Sequence, residues 1–204
     1  PAYWINLDSA PQRKIWMEQH LKEYGFAYNR RVPAMTKHTC NMIMVESTCL
    51  RVSLDDISIL CSHVYALYTA LMDTSPIAQK SKYFMVLEDD IKFNMAIDFN
   101  KLVEAAPKDF GMLQLMMSHK KHIQEAWYAY QANNNANLFT YRPRNSTVWS
   151  AQAILYNKDA IRSFVDKAVR LDRSGRLGFK LVNTFDYEKY SSYNVNGFRP
   201  SIAS

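Results

Sequence analysis

Apolar residues along the chain gather either in short continuous runs or at helical spacing, and the two kinds alternate. Tyr3-Trp4-Ile5-Asn6-Leu7 is a continuous run that stops at Asp8 and predicts a strand. Ser9-Ala10-Pro11-Gln12 follows, with Ser9 in the capping place, Pro in the first turn and Gln at the third helical position. That pattern predicts a capping-box start to a helix. Met17, Leu21 and Tyr24 share one face of it, and Gly25 ends it. A second helix is predicted from about Asp55 to Met72, where Ile57, Leu60, Cys61, Val64, Leu67, Tyr68 and Leu71 recur at helical spacing. Ser75-Pro76 closes that helix. Tyr83-Phe84-Met85-Val86-Leu87 reads as a strand buried on both faces, and it ends abruptly in Glu88-Asp89-Asp90. Phe110–Met117 and Val148–Tyr156 predict further strands, and Phe179–Val182 a last one. Between the last two, Asn157 caps a helix whose stripe is Ile161, Phe164, Val165, Ala168 and Val169.

Strands alternating with helices predict an α/β fold: one domain over residues 1–204, with a mostly parallel central sheet and helices on both faces. Residues 118–147 form the longest stretch without an assigned element, and a polar excursion of that length points to function or mobility. Trp127, Tyr128, Tyr130, Tyr141 and Trp149 in and beside it would either form a platform for an acceptor or pack into the core. The closing Arg199–Ser204 carries no obvious terminal element, so a longer parent protein is expected.

Composition narrows the class only modestly. A hydrophobic share of 48% and a charged share of 22% are those of an ordinary globular domain, long enough at 204 residues to bury its own core. The net charge of +6 suits an anionic ligand. Its basic residues are scattered (Arg30-Arg31, Lys120-Lys121, Arg142 and Arg144), which gives no support to a nucleic-acid surface. No run approaches eighteen apolar residues, so no membrane span is expected. Cys40, Cys49 and Cys61 are odd in number and form no CxxC pair, which predicts free thiols and a reducing, cytoplasmic location. There the sequon Asn145-Ser146-Thr147 would be silent.

The informative chemistry is Glu88-Asp89-Asp90. In open α/β sheets ligands bind beyond the carboxyl ends of the strands, which is where these acids fall. Three adjacent carboxylates repel one another, and a Mn²⁺ or Mg²⁺ ion held by one or two of them, its shell completed by substrate phosphates and water, relieves that repulsion. A solvated acidic turn would account for the same residues without a ligand.

Several segments in order resemble family 25 glycosyltransferases, the lipopolysaccharide and procollagen galactosyltransferase-like enzymes of GT-A fold. These are Trp4-Ile5-Asn6-Leu7-Asp8 with Arg13, Met17, Leu21 and Gly25; Ser62-His63; Val86-Leu87-Glu88-Asp89-Asp90-Ile91; Asp109-Phe110 to Leu115; and Ala153-Ile154-Leu155-Tyr156 with Ala160. The pattern is also similar to virus-encoded sugar transferases of the kind that decorate chlorovirus capsids, which would act in the host cytoplasm. Departures are plain: Ser58-Ile59 stands where the family carries Gly-Cys, and Arg13 stands where it commonly carries more than one Arg.

What the resemblance implies is a metal-dependent transfer of sugar from a UDP-sugar to a hydroxyl of a glycan or glycoprotein. Asn6, Leu7 and Asp8 would line the nucleotide pocket, Arg13 would reach a phosphate, Glu88 and Asp89 would lie near ribose and donor sugar, and Asp90 would hold the metal. An inverting transfer needs a carboxylate base. Asp186 is the choice, with Glu188 its competitor. His63 is either a buried, hydrogen-bonded core histidine or part of the site; His119 and His122 would be a third metal ligand, a phosphate contact or simply solvated. Two rivals use the same residues: a metal-dependent phosphoryl-transfer enzyme, and a nucleotide-sugar binding module without catalysis.

Overall fold

A computed structural model describes residues 1–42, 53–93, 96–116, 120–132, 139–141, 151–171, 177–179, 191–195 and 201–202. The chain runs β1 (Ala2–Asn6), α1 (Pro11–Glu23), β2 (Asn29–Pro33), α2 (Lys37–Met42), α3 (Leu54–Leu71), α4 (Pro76–Lys80), β3 (Tyr83–Glu88), β4 (Ile91–Lys92), α5 (Phe99–Ala105), β5 (Phe110–Gln114), α6 (Lys120–Ala132), β6 (Phe139–Tyr141), β7 (Ala153–Asn157), α7 (Lys158–Ala168), β8 (Val169–Leu171), β9 (Leu177–Phe179), β10 (Ser191–Val195) and β11 (Ser201–Ile202).

The central sheet has seven strands in the order β2-β1-β3-β7-β5-β10-β6. β1 pairs parallel with both β2 and β3, and β5 parallel with β10. β7 runs antiparallel to both β3 and β5, and β6 antiparallel to β10. The sheet is therefore mostly parallel, as expected, with β7 and β6 reversed.

Alternation within β1 and β3 shows why they are central. Tyr3, Ile5, Phe84 and Val86 enter a core shared with Cys61, Val64 and Leu67 of α3 and Ile161 and Val165 of α7. Ala2, Trp4, Met85 and Leu87 enter the opposite core, with Met17 and Leu21 of α1 and Leu102 of α5. Each strand thus packs helices on both faces. Full burial of one such aliphatic or aromatic side chain stabilises by about 1.5–3 kcal/mol.

From β1 the chain crosses through α1 to β2, then returns over β1 through α3 to reach β3. That reversal of order places α1 and α3 on opposite faces, as a constant crossover hand requires. It also makes the β1–β3 crevice a topological switch point.

Local starts and stops differ in places from the sequence pattern. The N-cap of α1 is Ala10, without a side-chain cap, so Ser9 builds no capping box. The capping box belongs to α3, where Ser53 Oγ accepts from the Asp56 amide and the Asp56 carboxylate accepts from the Ser53 amide. Gly25 has φ 77°, the left-handed conformation that favours glycine after a helix. The stretch 118–147 contains α6 and β6 rather than an excursion throughout.

Cys40 and Cys61 are joined in a disulfide, with their Cα atoms 6.3 Å apart. The expectation of free thiols is corrected for this pair, and the argument from thiols to a reducing compartment falls with it. The packing of α2 against α3 brings the two together, a tertiary contact that their spacing did not reveal. Among the described residues no helix is long and apolar enough to cross a membrane.

Candidate functional site

At the carboxyl ends of β1, β2 and β3, three consecutive acids leave the sheet and each meets a different environment. Glu88, the last residue of β3, accepts from His63 Nε2 of α3 at 2.9 Å. Its amide donates to Gln152 O at the entrance of β7 at 2.9 Å, so the end of β3 is tied on both sides. Glu88 keeps 27% of its side chain exposed, against 8% for His63. His63 is thus both the buried, hydrogen-bonded histidine and a partner of the acidic cluster.

Asp89 is buried and held through both oxygens. Its Oδ2 accepts from Asn6 Nδ2 at 2.6 Å, and its Oδ1 accepts from Arg13 Nη1 at 2.8 Å. Asn6 is itself fully engaged: Nδ2 also donates to Ala10 O at 3.2 Å, and Oδ1 accepts from Arg31 Nε at 2.8 Å. Arg31 Nη2 donates to the Asn6 carbonyl at 3.1 Å and also pairs with Asp8. Arg31–Asn6–Asp89–Arg13 therefore form one chain of charge-assisted bonds running from β2 through β1 and the acidic turn to α1. Such bonds are about twice as strong as neutral ones.

Asp90 stands apart. Its Oδ1 is buried without a hydrogen-bond partner, the one such side-chain atom among the described residues. Burial, then the neighbouring charges of Glu88 and Asp89, push its carboxyl above the usual carboxylate range. A buried, unpaired carboxylate oxygen beside two other acids is costly in isolation, and a bound cation is the chemical species that would relieve it. Among the described residues no group of three or more His, Cys, Asp or Glu side chains converges to hold an ion unaided. Asp90 fits the role of one protein ligand to an ion whose other ligands come from substrate and water.

After the acidic turn the chain is pinned to α1. The Phe93 amide donates to His20 Nε2 at 2.9 Å, and the His20 ring stacks between Trp16 and Phe93, with centroids 4.6 and 5.7 Å away. Burial lowers the His20 pKa, consistent with a neutral imidazole accepting that bond.

Of the residues singled out in the sequence, the fold brings together Asn6, Asp8, Arg13, His63, Glu88, Asp89 and Asp90, with Leu7 between Asn6 and Asp8. The Asn6 side chain is spent on protein partners, so any contact it makes with a ligand is indirect. Arg13 is half exposed (48%) and keeps further N–H groups beyond its bond to Asp89. Asp186, Glu188, His119, Trp149, Cys49 and the Asn145 sequon lie outside the described residues, as do the side chains of His122 and Tyr141. Trp127 and Tyr130 stack obliquely on α6 at 5.9 Å, and Tyr128 is exposed. Sequence reasoning missed Arg31. Its position in a polar, edge-strand segment gave no periodic signal, and only the parallel register with β1 places it beside Asn6.

No family model and no curated protein matches the sequence. Among solved structures, the chain is similar to apo mouse xyloside xylosyltransferase 1, with a TM-score of 0.37 and 11% identity over 79% of this chain. It spans 54% of that protein's chain, about half its length. A likeness this slight carries no argument about activity.

Proposed function

We propose that the protein is a metal-dependent glycosyltransferase that moves a sugar from a UDP-sugar onto an acceptor hydroxyl. The observation that carries this reading is the unpartnered, buried oxygen of Asp90 at a topological switch point, beside two acids already fixed by their own partners. Three of the segments that resemble family 25 glycosyltransferases, Asn6-Leu7-Asp8, Ser62-His63 and Glu88-Asp89-Asp90, lie at this end of the sheet.

Asp90 would hold Mn²⁺ or Mg²⁺, which when bound neutralises charge on the leaving diphosphate. Arg13, anchored by Asp89, would offer its remaining N–H groups to a phosphate. Leu7 and Asp8, at the end of β1, would border uracil and ribose, and Glu88, fixed by His63, would face the donor sugar. During transfer the bond from the anomeric carbon to the diphosphate oxygen breaks, and the diphosphate keeps the electron pair. The acceptor oxygen forms the new bond and gives its proton to a carboxylate base. Asp186 is the base proposed for that proton, with Glu188 its competitor, and parallel transfer assays of Asp186→Asn and Glu188→Gln decide between them.

Calorimetry with uridine diphosphate decides the reading. Binding should require Mn²⁺, vanish in EDTA and return on adding the ion, and adenosine diphosphate should compete less well. Full nucleotide affinity in EDTA, or equal competition by both nucleotides, would remove the metal or the uridine assignment respectively.

A further inference from the structure

Ser62 and His63 are consecutive on α3, so their side chains leave the helix about 100° apart. Both are buried polar residues, as is Ser58 one turn earlier, on a helix whose other buried side chains are apolar. Each reaches a different strand end. Ser62 Oγ accepts from the Met35 amide at 2.8 Å, just beyond β2, and donates to Ser58 O at 2.7 Å. His63 Nε2 donates to Glu88 Oε1 at 2.9 Å, at the end of β3. Between these two strands lies β1, whose carboxyl end carries Asn6.

We infer that Ser62-His63 is a positioning pair that sets the separation between the two lips of the donor cleft, the segment leaving β2 and the acidic turn leaving β3. This inference rests on the donor-site reading above and extends it to two residues that touch no donor atom. The physical argument is one of rigidity. α3 is a long helix packed along the sheet and capped at its start, so two bonds from adjacent residues behave as fixed arms of one body. Ser62 has no charge to contribute and sits 3% exposed, so a direct ligand role would leave its buried bonds unexplained. His63 fixes one oxygen of Glu88, which removes side-chain freedom that ligand binding would otherwise have to remove. Losing either arm leaves the acids in place in the sequence but unfixed in space.

The test uses uridine diphosphate with Mn²⁺ as the probe, read by calorimetry on the full chain, with thermal unfolding in parallel. His63→Leu should weaken binding roughly tenfold or more, the scale of one lost charge-assisted hydrogen bond. His63→Gln, whose amide can still donate to Glu88, should recover most of that loss. Ser62→Ala should weaken binding by roughly threefold to tenfold, the scale of one neutral hydrogen bond. Each variant should stay folded at the temperature of the titration, its midpoint falling only by what one lost hydrogen bond removes. Wild-type affinity in His63→Leu, or the same loss in His63→Gln as in His63→Leu, would overturn the inference. If the wild type itself binds no nucleotide, the donor reading fails by that result alone. The His63 arm is then judged by a double-mutant cycle of His63→Leu with Glu88→Gln in urea unfolding. Coupling of about fivefold or more in the unfolding constant supports it, and additivity overturns it.

Discussion

Asn6 donates from Nδ2 to Asp89 Oδ2 at 2.6 Å, joining the ends of two adjacent parallel strands across 83 positions of sequence. Because Arg31 Nε fixes Asn6 Oδ1, the amide has only one orientation compatible with its partners. Asp89 is thus a fixed point, and the turn that carries Asp90 hangs from it.

Removing the charge of Asp90 should separate stability from ligand binding. Its carboxyl is raised by burial and by Glu88 and Asp89, so the ionised form destabilises the ligand-free protein above the unfolded pKa. Asp90→Asn should therefore raise ligand-free stability by on the order of 1 kcal/mol, while Mn²⁺-dependent nucleotide binding is lost. Urea unfolding and calorimetry on the same sample check both halves. A destabilised variant that still binds would contradict both.

Arg31 should resist conservative replacement. Its bonds to Asn6 use Nε and Nη2 together, a fork that an ammonium cannot reproduce. Arg31→Lys should lose about 1–2 kcal/mol of stability and weaken nucleotide binding nearly as much as Arg31→Met. Wild-type behaviour of Arg31→Lys would show that only charge is needed there.

At the other end of β1, Asp73 is buried and accepts from Tyr3 at 2.8 Å, from Tyr28 at 2.5 Å and from the Ser75 amide at 2.8 Å. Burial works against its charge, yet the bonds from Tyr28, Ser75 and Tyr3 outweigh it and hold its pKa well below the usual carboxylate range. With the folded pKa depressed, its contribution is present above the unfolded value and lost as pH falls through the folded one. Asp73→Asn should cost about 2 kcal/mol at neutral pH. The gap to wild type should start to shrink below about pH 4. A gap that stays constant down to pH 2 would contradict the assignment.

The Cys40–Cys61 bond should appear as a cross-linked peptide in a non-reducing digest. Cys40→Ser with Cys61→Ser should lower stability by about 2–4 kcal/mol. Recovery of both thiols as free, alkylatable groups from unreduced protein would remove the bond.

Much of this arrangement could be read from residue order. β1 and β3 announced themselves as apolar runs closed by polar residues, and α1, α3 and α7 as periodic stripes, because burial on one or two faces leaves a local signature. The acidic turn was legible for the same reason: its place follows from where an apolar run stops. Which partner each acid takes was not legible. Glu88, Asp89 and Asp90 are alike in sequence, and only His63, Asn6 and Arg13, arriving from other elements, distinguish them. The reversed direction of β7 was equally hidden, since an apolar run such as Ala153–Tyr156 reads the same in either orientation. Arg31 and Asp73 act through partners 25 and 70 residues away, beyond the reach of any local pattern.

That reversed strand also sets an order of assembly. β1, α1, β2, α3 and β3 can close on one another from the first part of the chain alone, but the outer edge of β3 is satisfied only by β7, with Tyr83 to Leu87 facing Asn157 to Ala153. During synthesis the amino-terminal part emerges first, so that hydrogen-bonding edge and its apolar side chains stand open until the later strand arrives. An open edge of this kind recruits other chains. Fragments ending before Ala153 should therefore self-associate, and the demand on chaperones should peak while the ribosome is still translating the middle of the protein.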